Sequence, residues 1–382
     1  MAETILILGN GFDLAMGRKT SYNDFLEFAE KLFAEKDIQL EDFLYSNQID
    51  IEKYRNNLYI QFINENKFKL GDNWSNLEIM ISQLAEAIDF FRLNSDKLYL
   101  ESGELHPKYI GHFRKMMNEE GNSASKIFIG TIFFKLYYSS GWDKLERELA
   151  LSELNEKFIY HLELLTELLE IYLSYRDYLD FDINKIPQVG TALDAITDIS
   201  ESYVISFNYT HTPNRLYNIS LGKTHFIHGE INLSRQKSEI NTMVFGIEDK
   251  ETDVNSSLIP YQKYYQRIVK ETGSEYLDFL MPRYAEDSYG GLKKKNIIVF
   301  GHSVDQLDKE IFEKCFEIAD LVIKRYNYRF IFTYYNESAK RSIVKNLAII
   351  LGKDKLVELT GKKNVVFVKS DNVDGMREVL LN

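Results

Sequence analysis

The stretch Thr4-Ile5-Leu6-Ile7-Leu8-Gly9-Asn10-Gly11-Phe12-Asp13 decides how this chain folds. Five apolar residues without alternation, closed by a glycine, form the pattern of a strand buried on both faces of a parallel sheet. Gly9 and Gly11 permit a tight turn, and the helix start behind them offers N–H groups to an anion. Three later segments repeat the arrangement. They are Ser206-Phe207-Asn208-Tyr209-Thr210 after the run 203–205, His228-Gly229 after 226–227, and Gly301-His302-Ser303 after 297–300. Ligands of open α/β sheets bind beyond the carboxyl ends of the strands. The four strand ends, up to about 300 residues apart, are therefore expected to share one nucleotide pocket.

Working outward, Ser21 and Asp24 resemble a helix cap, followed by Phe25, Phe28, Leu32 and Phe33 at helical spacing. From about 36 to 200 the pattern is helical. Ser75-Asn76-Leu77-Glu78 resembles a capping box, and Trp74, Leu77, Ile81, Leu84 and Ile88 keep a 3-4 spacing. Leu154, Phe158, Leu162, Leu165, Leu169 and Tyr172 form a second stripe suited to helix packing. Strand-like runs return at 203–207, 224–227, 242–245, 296–300, 329–333 and 364–368, the later ones separated by helical patterns at 308–324 and 338–351. That alternation predicts a doubly wound, mostly parallel Rossmann-like sheet. The expected α/β domain is 1–35 plus 201–382, split by a large helical insertion or cap over 36–200.

Each polar position carries a structural reading beside the functional one. Gly9-Asn10-Gly11 lacks the third glycine of a dinucleotide fingerprint and the Lys-Ser/Thr of a Walker loop, so it serves a phosphate or simply a turn. Asn208 suits a ribose hydroxyl or a water, and equally an Asx turn or helix cap. His228, expected at the exposed end of its strand, is a candidate general base or a satisfied structural histidine. His225 and His228 point to opposite faces of a strand, and no metal site is expected. Ser303 either caps the following helix or meets a ribose or phosphate.

The chain has 382 residues, 45% hydrophobic and 14% aromatic, with 25 Tyr and 25 Phe, enough for one large or two ordinary domains. A formal charge of −12 argues against coating nucleic acid. The one basic run, Lys293-Lys294-Lys295, is read as a solvated lead-in to a strand. Cys315 is the lone cysteine, excluding an internal disulfide, and is expected as a small buried residue on an amphipathic helix. No apolar stretch approaches the ~20 residues of a membrane span, and a signal peptide before the first strand is not expected. A cytoplasmic protein without a membrane partner is expected.

Gly9-Asn10-Gly11-Phe12-Asp13-Leu14-Ala15, Gly17 and Thr20-Ser21-Tyr22-Asn23-Asp24-Phe25-Leu26 resemble the N-terminal signature of the AbiH family of phage abortive-infection proteins. Trp74 to Glu78, Ser206 to Thr210, His225 to Gly229, Phe245-Gly246 and Gly301 to Ser303 resemble its later motifs. The same motifs in the same order are remotely similar to sirtuin-like NAD-binding domains, with Gly11 and Gly17 keeping that fold's glycine spacing. By that similarity Asn208 would hold the nicotinamide ribose or the attacking water, and His228 would be the general base. Gly9, Asn10, Gly11, Asp13, Thr210, Gly229, Gly301, His302 and Ser303 would line the cofactor. Asp13 replaces the usual Ser and Thr210 the second polar Asp, and the four-cysteine zinc module of protein-deacylating sirtuins is absent.

The resemblance implies phage defence by hydrolysis of NAD at the nicotinamide–ribose bond. The alternative is a non-catalytic sensor of NAD, ADP-ribose or a signalling nucleotide. A nuclease toxin is disfavoured by the acidic charge and the lack of a compact Asp/Glu/Lys motif. A phage-derived trigger and a homo-oligomer are expected partners. Glu78, within a family-like motif, either reaches the pocket or caps its own helix.

Overall fold

The computed structural model describes residues 3–34, 37–70, 77–98, 106, 108–118, 126–127, 129–132, 144–235, 239–247, 257–281, 293–305, 308–321 and 326–381. The chain divides into two compact units. The first is Met1–Ser21, Leu173–Met243 and Lys270–Asn382; the second is Tyr22–Tyr172 and Val244–Val269.

Among the described residues the first unit holds six parallel strands, β1 (Glu3–Leu8), β2 (Tyr203–Ser206), β3 (Thr224–Phe226), β4 (Lys293–Phe300), β5 (Tyr326–Tyr334) and β6 (Val365–Lys369). Their order across the sheet is β3-β2-β1-β4-β5-β6, which reverses direction between β1 and β4. Strand pleating sends Ile5, Ile7, Ile205, Ile297, Val299, Phe330 and Phe332 into one core. The helices Tyr276–Leu280, Lys309–Leu321 and Glu337–Leu351 complete that core. Leu6, Leu8, Val204, Ile298, Phe300 and Ile331 enter a second core with Phe12, Leu193, Tyr217 and Met376. Both faces are covered, which is why these strands are apolar without alternation. Cys315 is fully buried in the first core, where burial pushes its thiol up to about 12.

The second unit is built on helices. Leu77, Ile81, Leu84 and Ile88 are buried on helix Leu77–Leu98, and the second stripe is buried along helix Lys144–Asp177. Trp74, Ser75 and Asn76 lie outside the described residues. Glu78 pairs at 3.4 Å with the buried ammonium of Lys263, a segment that returns to this unit. The unit boundaries fall at 21/22 and 172/173 rather than the expected 35/36 and 200/201. The reason is packing: Phe25 and Phe28 lie against Tyr172, whereas Ala192 and Leu193 join the sheet core.

Two local expectations are corrected. The run 242–245 forms no strand, because side chains take its backbone groups. Lys270 Nζ donates to the Met243 carbonyl at 2.7 Å, and Gln266 both accepts from the Phe245 N–H and donates to its carbonyl. Lys295 is not a solvated lead-in. It lies within β4, is fully buried, and donates to the carbonyls of Phe279 (2.6 Å), Leu280 and Met281 (both 3.4 Å) at the end of helix Tyr276–Leu280. A cation at that helix end meets both the orphan carbonyls and the negative end of the dipole.

Candidate functional site

The four polar segments all emerge at the carboxyl ends of adjacent strands, in the spatial order His228, Asn208, Gly9, Gly301. The two glycine turns are zipped together. Gly9 N–H donates to the Phe300 carbonyl at 3.0 Å and Gly11 N–H to the Gly301 carbonyl at 2.9 Å, while Phe12 N–H closes onto Gly9 at 2.8 Å. Gly301 has φ +70°, and a Cβ there would lie 2.2 Å from the Phe12 nitrogen; one on Gly9 would lie 2.6 Å from the Gly301 carbonyl oxygen. Three N–H groups that the sequence offers to an anion are thus bonded within the chain. Asn10 remains exposed, its side-chain Oδ1 accepting from Thr20 Oγ1 at 2.8 Å.

Asn208 follows β2 and is 6% exposed. Its amide nitrogen donates to the Gly9 carbonyl at 3.0 Å and to Asp13 Oδ1 at 3.2 Å. Both amide hydrogens are then used, and the group this side chain has for a ligand is its carbonyl oxygen. Asp13 and Thr210 are buried against each other, with Thr210 Oγ1 donating to Asp13 Oδ2 at 2.5 Å. Behind them lies Arg18, 2% exposed, which meets Asp13 at 3.3 Å, Asp180 at 2.9 Å, Asp177 and Thr212. Asp180 sits in a π-helical turn, Tyr178–Ile183, and is also held by Arg176 at 2.6 Å. Burial pushes the carboxyls of Asp13 and Asp177 up, opposed by the Arg18 guanidinium. Asp13 therefore faces its own cation.

The histidines form a separate cluster. His228 is buried rather than at an exposed strand end. Its Nε2 lies 3.0 Å from Asp308 Oδ1, and His302 Nε2 lies 3.3 Å from Oδ2 of the same carboxylate. The Phe207 ring packs against both imidazoles, at 4.3 Å from His302 and 5.6 Å from His228, and stacks on Phe312. His302 Nδ1 accepts from the Val304 N–H at 2.8 Å. Val304 adopts φ +55°, which a β-branched residue rarely does. Ser303 is exposed and donates to Asp305 at 2.8 Å. His225 points elsewhere, to Glu275 at 3.0 Å, and burial lowers its pKa. Gly229 has φ +75° and abuts the Thr242 carbonyl. Among the described residues no group of three His, Cys, Asp or Glu could hold a metal ion. Nor is any helix among them long and apolar enough to cross a membrane.

Arg18, Thr212 and Asp308 escaped the sequence reading. Arg18 has only its place inside the N-terminal motif to mark it, beside Gly17. Asp308 reads as an ordinary acidic residue opening helix Lys309–Leu321. The assembled site offers an amide acceptor, two imidazoles beside one carboxylate and the paired glycine turns.

No curated protein and no solved structure matches the chain. A family model does, that of bacteriophage abortive infection AbiH, over residues 5–330, a span that includes every residue of the site from Gly9 to Asp308. The chain therefore belongs to the AbiH family, and its function is in abortive infection by bacteriophage.

Proposed function

We propose that this protein acts in abortive infection by hydrolysing NAD at the nicotinamide–ribose bond. The observation that carries the reading is the alignment of four polar strand ends along β3-β2-β1-β4, with Asn208 and His228 on neighbouring strands and the sheet order reversing beside them. That order is the one used by dinucleotide-binding doubly wound sheets, whose ligands lie at the reversal. In this reading Asn10, Gly229, His302 and Ser303 contact the nucleotide, and the paired turns at Gly9–Gly11 and Gly301 form the floor. Asn208, its amide hydrogens held by Gly9 and Asp13, offers its carbonyl oxygen to a ribose hydroxyl or the attacking water. Asp13, Thr210 and Arg18 position it.

The chemistry balances simply. The glycosidic bond breaks and its electron pair passes to the nicotinamide nitrogen, discharging the ring. Water adds to the cationic ribose carbon and gives its proton to His228. Nicotinamide and ADP-ribose leave. Replacing His228 with Ala should lower turnover by ~10²–10⁴-fold while binding and fold persist, and Asn208→Ala should act similarly. Nicotinamide release from NAD by the full-length protein, alone and in cells challenged with phage, is the measurement. Release that His228→Ala leaves untouched would remove His228 from the reaction.

The second reading, a sensor of NAD, ADP-ribose or a signalling nucleotide, is favoured by the burial of Asn208 and His228, each 6% exposed. Binding by the wild type without hydrolysis under phage challenge would establish it. A phage-derived trigger and self-assembly belong to either reading.

A further inference from the structure

Asp308 is shared by two imidazoles that come from different strands. His228 follows β3 and presents Nε2 to Oδ1 at 3.0 Å; His302 follows β4 and presents Nε2 to Oδ2 at 3.3 Å. An ionised carboxylate can only accept, so the His228 ring, hydrogen-bonded to it, must bring a proton on Nε2, while His302 makes a longer ion-pair contact with the other oxygen. His302 has no choice in the matter. The Val304 N–H, an obligate donor, occupies its Nδ1 at 2.8 Å, and Val304 holds φ +55° in making that bond. Phe207, packed on both rings and stacked on Phe312 at 5.7 Å, keeps either ring from turning over.

We propose that Asp308 is a positioning residue that sets the tautomer of His228, holding its proton on Nε2 and its lone pair on Nδ1, and that the Val304 N–H makes this setting one-way. The assignment goes beyond the hydrolase reading by naming the basic atom, and in its catalytic consequence it rests on that reading. Its geometric content does not.

The one-way character gives a sharp test. An asparagine at 308 keeps the size of the side chain but has one accepting oxygen and one donating nitrogen. Against His302 only the oxygen fits, because His302 Nδ1 is already taken by a donor. The amide nitrogen must then face His228 Nε2, which becomes an acceptor and sends the ring proton to Nδ1. The variant should thus invert one histidine and leave the other alone.

Full-length protein labelled with ¹⁵N-histidine would be read by two-bond ¹H–¹⁵N spectra across alkaline pH, using the spectra that no longer change with pH. His228→Gln and His302→Gln assign the signals. In the wild type both rings should carry the proton on Nε2. In Asp308→Asn, His302 should be unchanged and His228 should carry it on Nδ1, with thermal stability near wild type. Nicotinamide release should fall by about 10⁴-fold, the scale on which a wrong tautomer disables a histidine base. A wild-type His228 protonated on Nδ1, or a His228 that keeps Nε2–H in Asp308→Asn, overturns the proposal. If Asp308→Asn does not fold, the wild-type spectrum decides by the first of these criteria. A tautomer switch in a protein that never hydrolyses NAD would leave the Asp308 assignment standing and remove the hydrolase reading.

Discussion

Arg18 is the residue whose removal should do most damage. It is 2% exposed and compensates Asp13, Asp177 and Asp180 while bonding Thr212. In Arg18→Met the apolar stem is largely kept and the charge is lost. Asp180 retains Arg176 at 2.6 Å, and Asp13 retains its bonds from Asn208 and Thr210, but Asp177 loses its guanidinium partner. Taking one member from a buried ion pair costs about 3–5 kcal/mol, because the remaining charge is left unpaired. That is a large fraction of the 5–15 kcal/mol that holds a typical domain. The loss should depend on pH. Asp13 and Asp177 already have folded-state pKa values raised by burial, and without Arg18 these must rise further. A carboxyl raised on folding binds its proton more tightly in the native state, so its contribution is full below the unfolded value near 3.8 and declines as pH climbs through the folded value. The deficit of Arg18→Met relative to wild type should therefore be greatest at neutral pH and shrink toward pH 4–5. Adding Asp13→Asn should recover part of it at pH 7. Urea denaturation of the three proteins across this range is the assay. A deficit below about 1 kcal/mol, or one that does not change with pH, would show that Arg18 is not compensating buried charge.

Gly301→Ala should be severely destabilising, since left-handed backbone alone costs a non-glycine residue about 1–2 kcal/mol and the new Cβ would sit 2.2 Å from the Phe12 nitrogen, forcing the two turns apart. Gly17→Ala is its control: φ is +76° but nothing lies within 4 Å, so only the conformational cost should appear in the denaturation midpoint. Lys295→Met should cost about 1–3 kcal/mol by stripping the Phe279, Leu280 and Met281 carbonyls of their donor, and a variant as stable as wild type in urea would return Lys295 to the surface role its neighbours suggest.

The sequence by itself determined the family and the strands of the sheet, while the strand expected at 242–245 did not form. A run such as Ile5 to Leu8 is apolar because both faces of its strand are buried, and that requirement is written locally, residue by residue. Glycines at 9, 11 and 301 were legible as turns for the same reason, as were Asn208 and His228 at strand ends. Only the tertiary structure decided what these residues touch. Gly11 and Gly301 are single residues about 290 positions apart that need each other's backbone, and no local pattern pairs them. Asp13 looked like a carboxylate aimed at a ligand until Arg18 and Asp180, five and 167 positions away, enclosed it. Lys295 looked solvated because charged runs are usually so, yet three carbonyls of the helix end 14–16 residues earlier make its burial favourable. Asp308 is indistinguishable from any acid opening a helix until two strand ends bring histidines to it. Burial of apolar surface is a property of a segment, and periodicity reveals it. Compensation of a buried charge, or the tautomer of an imidazole, is a property of a pair, and the partner is chosen by the fold.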